Sequence, residues 1–308
     1  MTADDHRERN KRWAAGTSVI AAVGLTLIKA IVGMATGSLG ILAEAAHSGL
    51  DLAAAIMTLF AVWISGKPAD TRHPYGHGKV ENLSALFETF LLLVTCVWII
   101  ERAVHRLLQG RVEIEVTFWS FAVMVTSIVV DYSRTRVLYR AARRYNSQAL
   151  EADALHFSTD IWSSSVVILG LICVSVSGSR PGWHFLRYAD AVAAIIVALI
   201  VVYVCVALGT RTIQALLDAM QPGLEQQVIS AVQALRGVAD CHHVRVRYSG
   251  SRPFVDVHVL LDGSQSLRAA HELTEEIERT IQGLLPEADV TVHPEPQAEA
   301  GRPGFPSQ

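Results

Sequence analysis

The chain has 308 residues, 51% of them hydrophobic and 18% charged, with a mean hydropathy of +0.33. So apolar a composition argues against an ordinary soluble domain and directs attention to membrane spans. The net charge of −3 argues against nucleic acid as a partner, and four scattered cysteines without a CxxC pair argue against a disulfide framework.

Six apolar segments follow a polar N-terminal stretch, residues 1–12, which is expected to be cytoplasmic and is too polar for a cleavable signal sequence. A helix that crosses the hydrocarbon core needs roughly 20 apolar residues, and each segment meets that length. The segments cover residues 13–36, 39–65, 82–106, 117–140, 150–177 and 188–209. The sequence therefore predicts an all-α, six-helix transmembrane domain over residues 13–209.

Basic residues are unevenly divided between the two ends of these segments. The N-terminus and the loops after the second and fourth segments carry twelve Lys and Arg residues, against five in the loops on the opposite side. Because basic loops tend to stay in the cytoplasm, both termini are predicted to be cytoplasmic. The expected location is a bacterial inner membrane, with the lipid bilayer as a partner.

Residues 210–295 have the mixed polar and apolar character of a soluble domain. Helices fit LEQQVISAVQALR and SLRAAHELTEEIERTIQGLL, and strands fit HHVRVRYS, FVDVHVLL and DVTVH. The order αββαβ predicts a cytoplasmic α+β ferredoxin-like domain whose first strand is missing or comes from the linker. The remaining residues, 296–308, are rich in Pro and Gly and are predicted to be disordered.

The second and fifth segments carry the same polar motif within apolar sequence. AEAAHSGLD at 43–51 and ADALHFSTD at 152–160 both read A-[E/D]-A-x-H-x-x-x-D. His and Asp four residues apart lie on one face of a helix, so His47 pairs with Asp51 and His156 with Asp160. At about 1.5 Å per residue, both pairs lie at similar depth. Two imidazoles and two carboxylates match the number of ligands in a tetrahedral zinc site.

Such a group of side chains also suits protons. Two carboxylates repel each other in a low dielectric unless a cation lies between them. A metal needs neutral imidazoles and ionised carboxylates, so protons compete with it for the same atoms. The pattern predicts a metal/proton exchange site in the middle of the membrane. A lone intramembrane histidine is otherwise an ordinary helix–helix hydrogen-bond partner, an interpretation that the repeated motif disfavours.

With these motifs, the chain resembles the cation diffusion facilitator family of zinc/proton antiporters over residues 13–295. The resemblance rests on SLGILAEAAHSGLD, on the paired HxxxD motifs, on PADTRHPYGHGKVENLSAL after the second segment, and on the histidines of the C-terminal domain. It implies that His47, Asp51, His156 and Asp160 form the transport site. Zinc-selective relatives also have His at the position of His47, whereas relatives with Asp there are more permissive toward cadmium and iron.

The resemblance implies two further metal sites. In the loop DTRHPYGH, the matching residues are Asp70, His73 and His77, and three ligands alone predict a weak or solvent-completed site. The alternative is an ordinary solvated loop. The second site is a two-metal cluster in the cytoplasmic domain, near a dimer interface. Its matching residues are His242, His258, His271, His293 and Glu295. Many relatives have Asp at the position of Glu295.

The family also pairs a Lys at the start of the third helix with an Asp just after the sixth. Lys79 and Asp218 match these positions and are expected to form a salt bridge that couples the two domains. The resemblance further implies a homodimer, protons as counter-ions, and Zn²⁺ both as the transported ion and as a ligand of the cytoplasmic domain.

Other functions remain open at this point. An exporter of cobalt, nickel, iron or cadmium is compatible with a His₂Asp₂ site, which disfavours manganese and magnesium. An intramembrane metalloenzyme needs an open metal position and a base motif such as HExxH, which the sequence lacks, so the chain is predicted not to be an enzyme. A metal sensor fits poorly with six spans.

Four residues keep no assigned role. Glu44 and Asp153, three residues before each motif histidine, either orient an imidazole or attract cations along the path. Cys241 and His243 are extra potential ligands in the cytoplasmic domain.

Overall fold

The computed structural model describes residues 3–109, 118–178 and 189–297. These residues divide into two compact units on either side of the Ile213–Gln214 bond. The predicted disordered tail lies outside the described residues from position 298 onward.

The first unit is helical. Its helices are α1 (Ala3–Thr36), α2 (Leu39–Ser65), α3 (Lys79–Gln109), α4 (Phe118–Tyr145), α5 (Gln148–Gly178) and α6 (Ala189–Leu216). Within the described residues, four stretches are long and apolar enough to cross a membrane: His6–Thr36, Glu44–Ser65, Lys79–His105 and Ala194–Leu216. Helices α4 and α5 overlap the other two predicted spans, and α4 carries Asp131 and five arginines, which lower its mean hydropathy. The prediction of six spans is thus supported for four of them.

Two short connections place neighbouring helices side by side. Gly37 adopts φ +65° between α1 and α2, and the Ser38 hydroxyl then accepts a hydrogen bond from Ile41 N at 3.4 Å. Asn146 adopts φ +50° between α4 and α5, where Ser147 Oγ accepts from Leu150 N at 3.5 Å. Because a serine cap satisfies an otherwise free N–H, α2 and α5 each begin at a defined residue.

The helical core is built mostly from small and aliphatic residues. Phe157 of α5 is fully buried beside Leu138 and Val62, and alanines of α1, α2, α4 and α5 fill the spaces between. Small side chains allow the close helix approach that is common in membrane proteins. Large apolar side chains such as Ile20 and Tyr203 point outward, as a lipid surrounding requires.

The second unit is an α/β domain. Its elements are α7 (Leu224–Gln233), β1 (Val238–Ser249), β2 (Arg252–Leu261), α8 (Leu267–Leu284) and β3 (Asp289–Pro296). The sheet order is β1-β2-β3, with β1 and β2 antiparallel and β2 and β3 parallel. Val255, Val257 and Val259 turn one face of β2 into the core that also contains Ile277 and Ile281 of α8. Side chains alternate along a strand, so His258 lies on the opposite face.

Candidate metal centres

The two HxxxD pairs lie on α2 and α5, and the structure brings all four side chains together. His156 Nε2 lies 3.1 Å from Asp51 Oδ1 and 3.8 Å from Asp160 Oδ2. His47 Nε2 lies 3.9 Å from Asp51 Oδ1 and 4.0 Å from Asp160 Oδ1. Each imidazole therefore faces both carboxylates. These four residues are called the membrane quartet below.

The donor spacing of the quartet suits a small four-coordinate cation. Ligand atoms about 2.0–2.1 Å from a tetrahedral zinc ion lie about 3.3–3.4 Å from one another. The nitrogen–oxygen distances of 3.1–4.0 Å bracket that value. Among the described residues, Asp51, His156 and Asp160 have ligand atoms that all lie within 4.8 Å of one another, and His47 lies at the edge of this group.

The four ligands differ in exposure. The side chains of His156 and Asp51 are 10% and 11% exposed, Asp160 is 20% exposed, and His47 is 40% exposed. His47 is therefore the most exposed member of the quartet.

Glu44 forms an ion pair with Lys29 of α1. The Lys29 ammonium is buried, lies 3.2 Å from Glu44 Oε2 and donates a hydrogen bond to Ser48 Oγ at 2.8 Å. A buried charge needs a partner, and Glu44 provides it. The pair also ties the turn of α2 that carries His47 to α1. Glu44 is thus engaged with a lysine rather than with an imidazole.

Asp153 belongs to a second polar cluster. Its Oδ2 accepts a hydrogen bond from Ser18 of α1 at 3.3 Å. The same hydroxyl accepts from Arg134 of α4 at 3.2 Å, and Arg134 pairs with Asp131 at 3.1 Å. Asp153 is therefore drawn toward α1 and α4 rather than toward the ring of His156.

Sequence reasoning missed a buried carboxylate on α3. Glu88 is 2% exposed, and the Thr58 hydroxyl of α2 donates a hydrogen bond to its Oε1. Its signal in the sequence is a single acid within the apolar run LFETFLLL. An ionisable residue in such a run marks a functional position more often than a structural one.

The loop residues Asp70, His73 and His77 also come together. Asp70 Oδ1 lies 3.2 Å from His73 Nδ1, and Asp70 Oδ2 lies 3.4 Å from His77 Nε2. The backbone N–H groups of His73 and Arg72 donate to the Asp70 carboxylate, and these bonds hold its pKa below the ordinary value. Asp70 and His73 are about half exposed, so solvent can complete the coordination of an ion here.

In the second unit, strand register aligns three histidines across the sheet. His242 of β1 pairs with His258 of β2, and His258 pairs with His293 of β3. The ring centroids of His258 and His293 are 4.7 Å apart, and those of His242 and His258 are 5.7 Å apart. The three imidazoles thus form a row on the face opposite the core.

Glu295 connects this row. Its Oε1 lies 2.8 Å from His258 Nδ1, and its Oε2 lies 3.5 Å from His242 Nε2. The hydrogen bond with His258 holds the pKa of the Glu295 carboxyl below its usual value. Imidazoles and a carboxylate are a donor set that suits zinc, nickel or copper, and the buried His242 Nδ1 has no hydrogen-bond partner among the described residues.

A bulge in β1 adds a histidine to this group. The register shifts between His242 and Arg245, and His243 adopts φ +49°. Because a bulge places two consecutive side chains on one side of a strand, the His243 ring lies 5.1 Å from that of His242 and 5.2 Å from that of His258.

Two other candidates lie apart from this group. Cys241 is buried in the core, and burial raises the pKa of its thiol to about 11, so it offers no thiolate. His271 is exposed on α8, 3.5 Å from Glu275. Among the described residues of this unit, His271 joins none of the metal-ligand groups.

Comparison with known proteins covers almost the whole chain. Residues 17–217 match the family model of the cation efflux transmembrane domain, and residues 221–297 match that of the cytoplasmic domain of cation efflux proteins.

Curated relatives align over most of their length as well. The cation-efflux pump FieF of Salmonella arizonae is 32% identical over 290 residues, 92% of each chain. FieF of Salmonella enteritidis is 32% identical over 298 residues, 94% of each chain. Among solved structures, the nickel form of a MamM CTD variant (20% identical, TM-score 0.24) covers 25% of this chain. A structure of CzrB (24% identical, TM-score 0.24) covers 26%, and each of these two solved chains is covered completely. Both family models and the FieF pumps place this chain in the cation diffusion facilitator family, whose members are cation efflux transporters and not enzymes.

Proposed function

We propose that the chain is a zinc/proton antiporter that exports zinc from the cytoplasm as a homodimer. The observation that carries this proposal is the membrane quartet, in which two imidazoles each face two carboxylates at 3.1–4.0 Å. A site near the middle of the membrane, built from side chains of two helices, suits alternating access.

Zinc is the favoured substrate because of the donor set. Zinc binds nitrogen and oxygen ligands in tetrahedral geometry, whereas manganese and magnesium prefer more oxygens. His47 is the most exposed of the four ligands and is proposed to set which metal is accepted. A His47→Asp variant should therefore carry cadmium or iron better, relative to zinc, than the wild type.

Protons are proposed as the counter-ions because they compete for the ligand atoms. Asp51 and Asp160 lie close enough to His156 to repel each other across it when no cation is bound. Protonation of the imidazoles or carboxylates relieves that repulsion and excludes metal. A proton gradient directed inward can thus drive metal outward.

The loop group is proposed to supply ions for transport, and the row of histidines is proposed to regulate transport. The loop group of Asp70, His73 and His77 is exposed enough to exchange ions quickly. The row of histidines with Glu295 is proposed to bind zinc at a dimer interface, where His271 of α8 contributes only after the subunits assemble. Metal there would raise transport by stabilising the dimer.

The domain layout is proposed as residues 1–12, 13–209 and 210–295, with six spans and both termini in the cytoplasm. A ferredoxin-like origin for the second unit is supported by the parallel pairing of β2 and β3. In that fold, the first strand separates the last two, so its loss leaves them as parallel neighbours.

Lys79 at the start of α3 and Asp218 just after α6 are proposed to form a salt bridge that couples the domains.

Zinc uptake into inverted vesicles under a proton gradient tests the function. Asp51→Ala and Asp160→Ala should abolish uptake, while Asp262→Ala, an exposed acid of the second unit, should leave it unchanged. Uptake that persists in both membrane variants, or that ignores collapse of the proton gradient, would reject the antiporter.

Transport of cobalt, nickel, iron or cadmium is the second candidate. It is favoured by the exposure of His47, because a partly open site tolerates ions of different size. Competition of each ion against zinc in the same vesicles separates the two possibilities.

A further inference from the structure

The bulge in β1 puts a residue with no assigned role, His243, among the histidines of the second unit. The bulge directly follows the pair of His242 with His258. His243 and Val244 of β1 there lie opposite Val257 alone. Val244 is buried in the core, so it takes the regular inward position and His243 is the extra residue. Bulges re-aim side chains in this way and are over-represented next to functional sites.

The backbone of His243 is held in an unusual conformation. Its φ of +49° is uncommon for any residue other than glycine, although histidine and asparagine adopt such angles more often than most. Residues in sparsely populated conformations cluster at functional sites. The side chain of His243 is exposed, so burial of the ring does not explain why a histidine stands here.

Three imidazoles meet at the bulge. The ring centroid of His243 lies 5.1 Å from that of His242 and 5.2 Å from that of His258. Each of the three residues offers one ring nitrogen that lies within 4.8 Å of the other two. The ligand nitrogens of a tetrahedral zinc site lie about 3.3–3.4 Å apart. Because His243 is exposed, its ring can turn about its side-chain torsions toward that spacing.

The other two rings are already arranged as metal ligands. The buried Nδ1 of His242 has no hydrogen-bond partner among the described residues, and Asp240 Oδ2 lies 3.6 Å from it, beyond hydrogen-bond distance. A buried polar atom without a partner requires an explanation, which a bound ion provides. His258 Nδ1 lies 2.8 Å from Glu295 Oε1. A carboxylate that holds one ring nitrogen is the usual companion of a metal-binding histidine.

This set of ligands differs from the set that contains Glu295. In the described part of the second unit, His258 also groups with His293 and Glu295, which includes a carboxylate. The group at the bulge contains imidazoles only. Its members lie on the neighbouring strands β1 and β2 of one chain, so the group is complete without a second subunit.

We propose that His242, His243 and His258 form a three-imidazole site that binds one zinc, nickel or copper ion within a single subunit. Imidazole ligands favour these ions, whereas magnesium and manganese prefer oxygen ligands. The exposed side of His243 lets solvent supply a fourth ligand. The site shares two ligands with the proposed dimer-interface cluster, and His243 is the ligand that separates the two. The inference does not depend on transport by the quartet.

Zinc binding to the purified full chain, measured by equilibrium dialysis in detergent, tests this site in a parent variant that lacks the other ligand groups. Asp51→Ala and Asp160→Ala remove the quartet, His73→Ala removes the loop group, and His293→Gln breaks the group with Glu295. This parent should bind one zinc ion per chain. Copper should displace the zinc, whereas excess magnesium or manganese should not.

Two substitutions of His243 in this parent separate a ligand from a structural residue. Asparagine accepts the positive φ but is a poor zinc ligand, whereas cysteine suits the backbone less well but supplies a thiolate. Loss of a residue that only orients a ligand costs about 10–100-fold in metal affinity, so loss of the ligand itself in His243→Asn should cost about 100-fold or more. His243→Cys should stay within about tenfold of the parent. His6→Asn, at an exposed histidine of α1, is the matched control and should leave the affinity unchanged.

The three-imidazole site is overturned if the parent binds no zinc, or if His243→Asn binds zinc as tightly as the parent. It is also overturned if His243→Cys is as impaired as His243→Asn, or if excess magnesium displaces the zinc. Failure of the proposed transport function would look different. Zinc uptake into vesicles would then be absent in the wild type, while zinc binding by the parent variant would be unaffected.

Discussion

Substitution of Lys11 by methionine tests whether one end of the helical unit is held by a buried ion pair. Lys11 of α1 and Glu81 of α3 are each 2% exposed, and Lys11 Nζ lies 2.7 Å from Glu81 Oε1. Glu81 also accepts hydrogen bonds from Ser65 at the end of α2, at 2.7 Å, and from Ser147 just before α5. One carboxylate therefore ties α1, α2, α3 and the turn between α4 and α5 together.

The expected effect follows from leaving the Glu81 carboxylate without its cation. Removal of one partner from a buried ion pair typically costs about 3–5 kcal/mol. At about 2–4 °C per kcal/mol for a domain of this size, Lys11→Met should lower the melting temperature by on the order of 10 °C. Glu81→Gln should cost less, because Glu8 lies 2.6 Å from Lys11 and still neutralises it.

Thermal stability of the purified chain, followed by loss of the monodisperse peak in detergent, provides the assay. Arg9→Met, at an exposed position of the same helix, is the matched control. The double variant Lys11→Met/Glu81→Met should be more stable than Lys11→Met alone, since it removes the fully buried carboxylate that the single variant leaves without its cation. The ion pair does not hold this end if Lys11→Met has the same melting temperature as Arg9→Met. The same conclusion follows if the loss of melting temperature in the double variant equals the sum of the losses in the two single variants.

Three other outcomes follow from local geometry. A Cβ at Gly33 of α1 would lie 3.1 Å from the backbone nitrogen of Leu42 in α2, so Gly33→Val should cost about 1–3 kcal/mol and lower the melting temperature. Burial raises the pKa of the Cys241 thiol to about 11, so maleimide should label Cys241 of the folded chain slowly at pH 7. The labelling rate, measured by mass spectrometry, should rise with pH and become fast in denaturant. The carboxyl of Glu295 has a pKa lowered from 4.5 by His258, so its contribution to stability is present above pH 4.5 and is lost as the pH falls through that lowered pKa. Hydrogen exchange of β3 should therefore be faster in Glu295→Gln than in wild type at pH 7, and the difference should disappear toward pH 3; a difference that persists there would refute this reasoning.

The features that repeat along the chain could be predicted from the sequence. The period of the apolar residues predicts the long helices, and the HxxxD spacing predicts that both pairs of ligands share a helix face. Alternation in HHVRVRYS and FVDVHVLL predicts adjacent strands, and the structure pairs His242 with His258. The helix between β2 and β3 likewise allows the parallel pairing of these strands.

Contacts without a local pattern could not be predicted. The bulge that turns His243 toward His258 depends on one residue with positive φ, for which histidine carries no strong signal. Lys11 and Arg134 count as basic loop residues in a sequence-based orientation, yet the structure buries both. Their burial reduces the count on that side from twelve to ten, against five on the opposite side, so the direction of the bias does not change. Glu88 is paired with Thr58, thirty residues away, and only packing brings them together.

The buried charges support the proposal that an ion exchanges at the quartet. Lys29 is paired with Glu44 and Arg134 with Asp131, so these fixed cations already have carboxylate partners. Among the described residues, the carboxylate of Asp51 forms its ion-pair contacts with imidazoles alone. An imidazole changes charge near neutral pH, whereas lysine and arginine do not. Under the proposed function, the charge that balances the quartet therefore arrives and leaves as protons or as a metal ion.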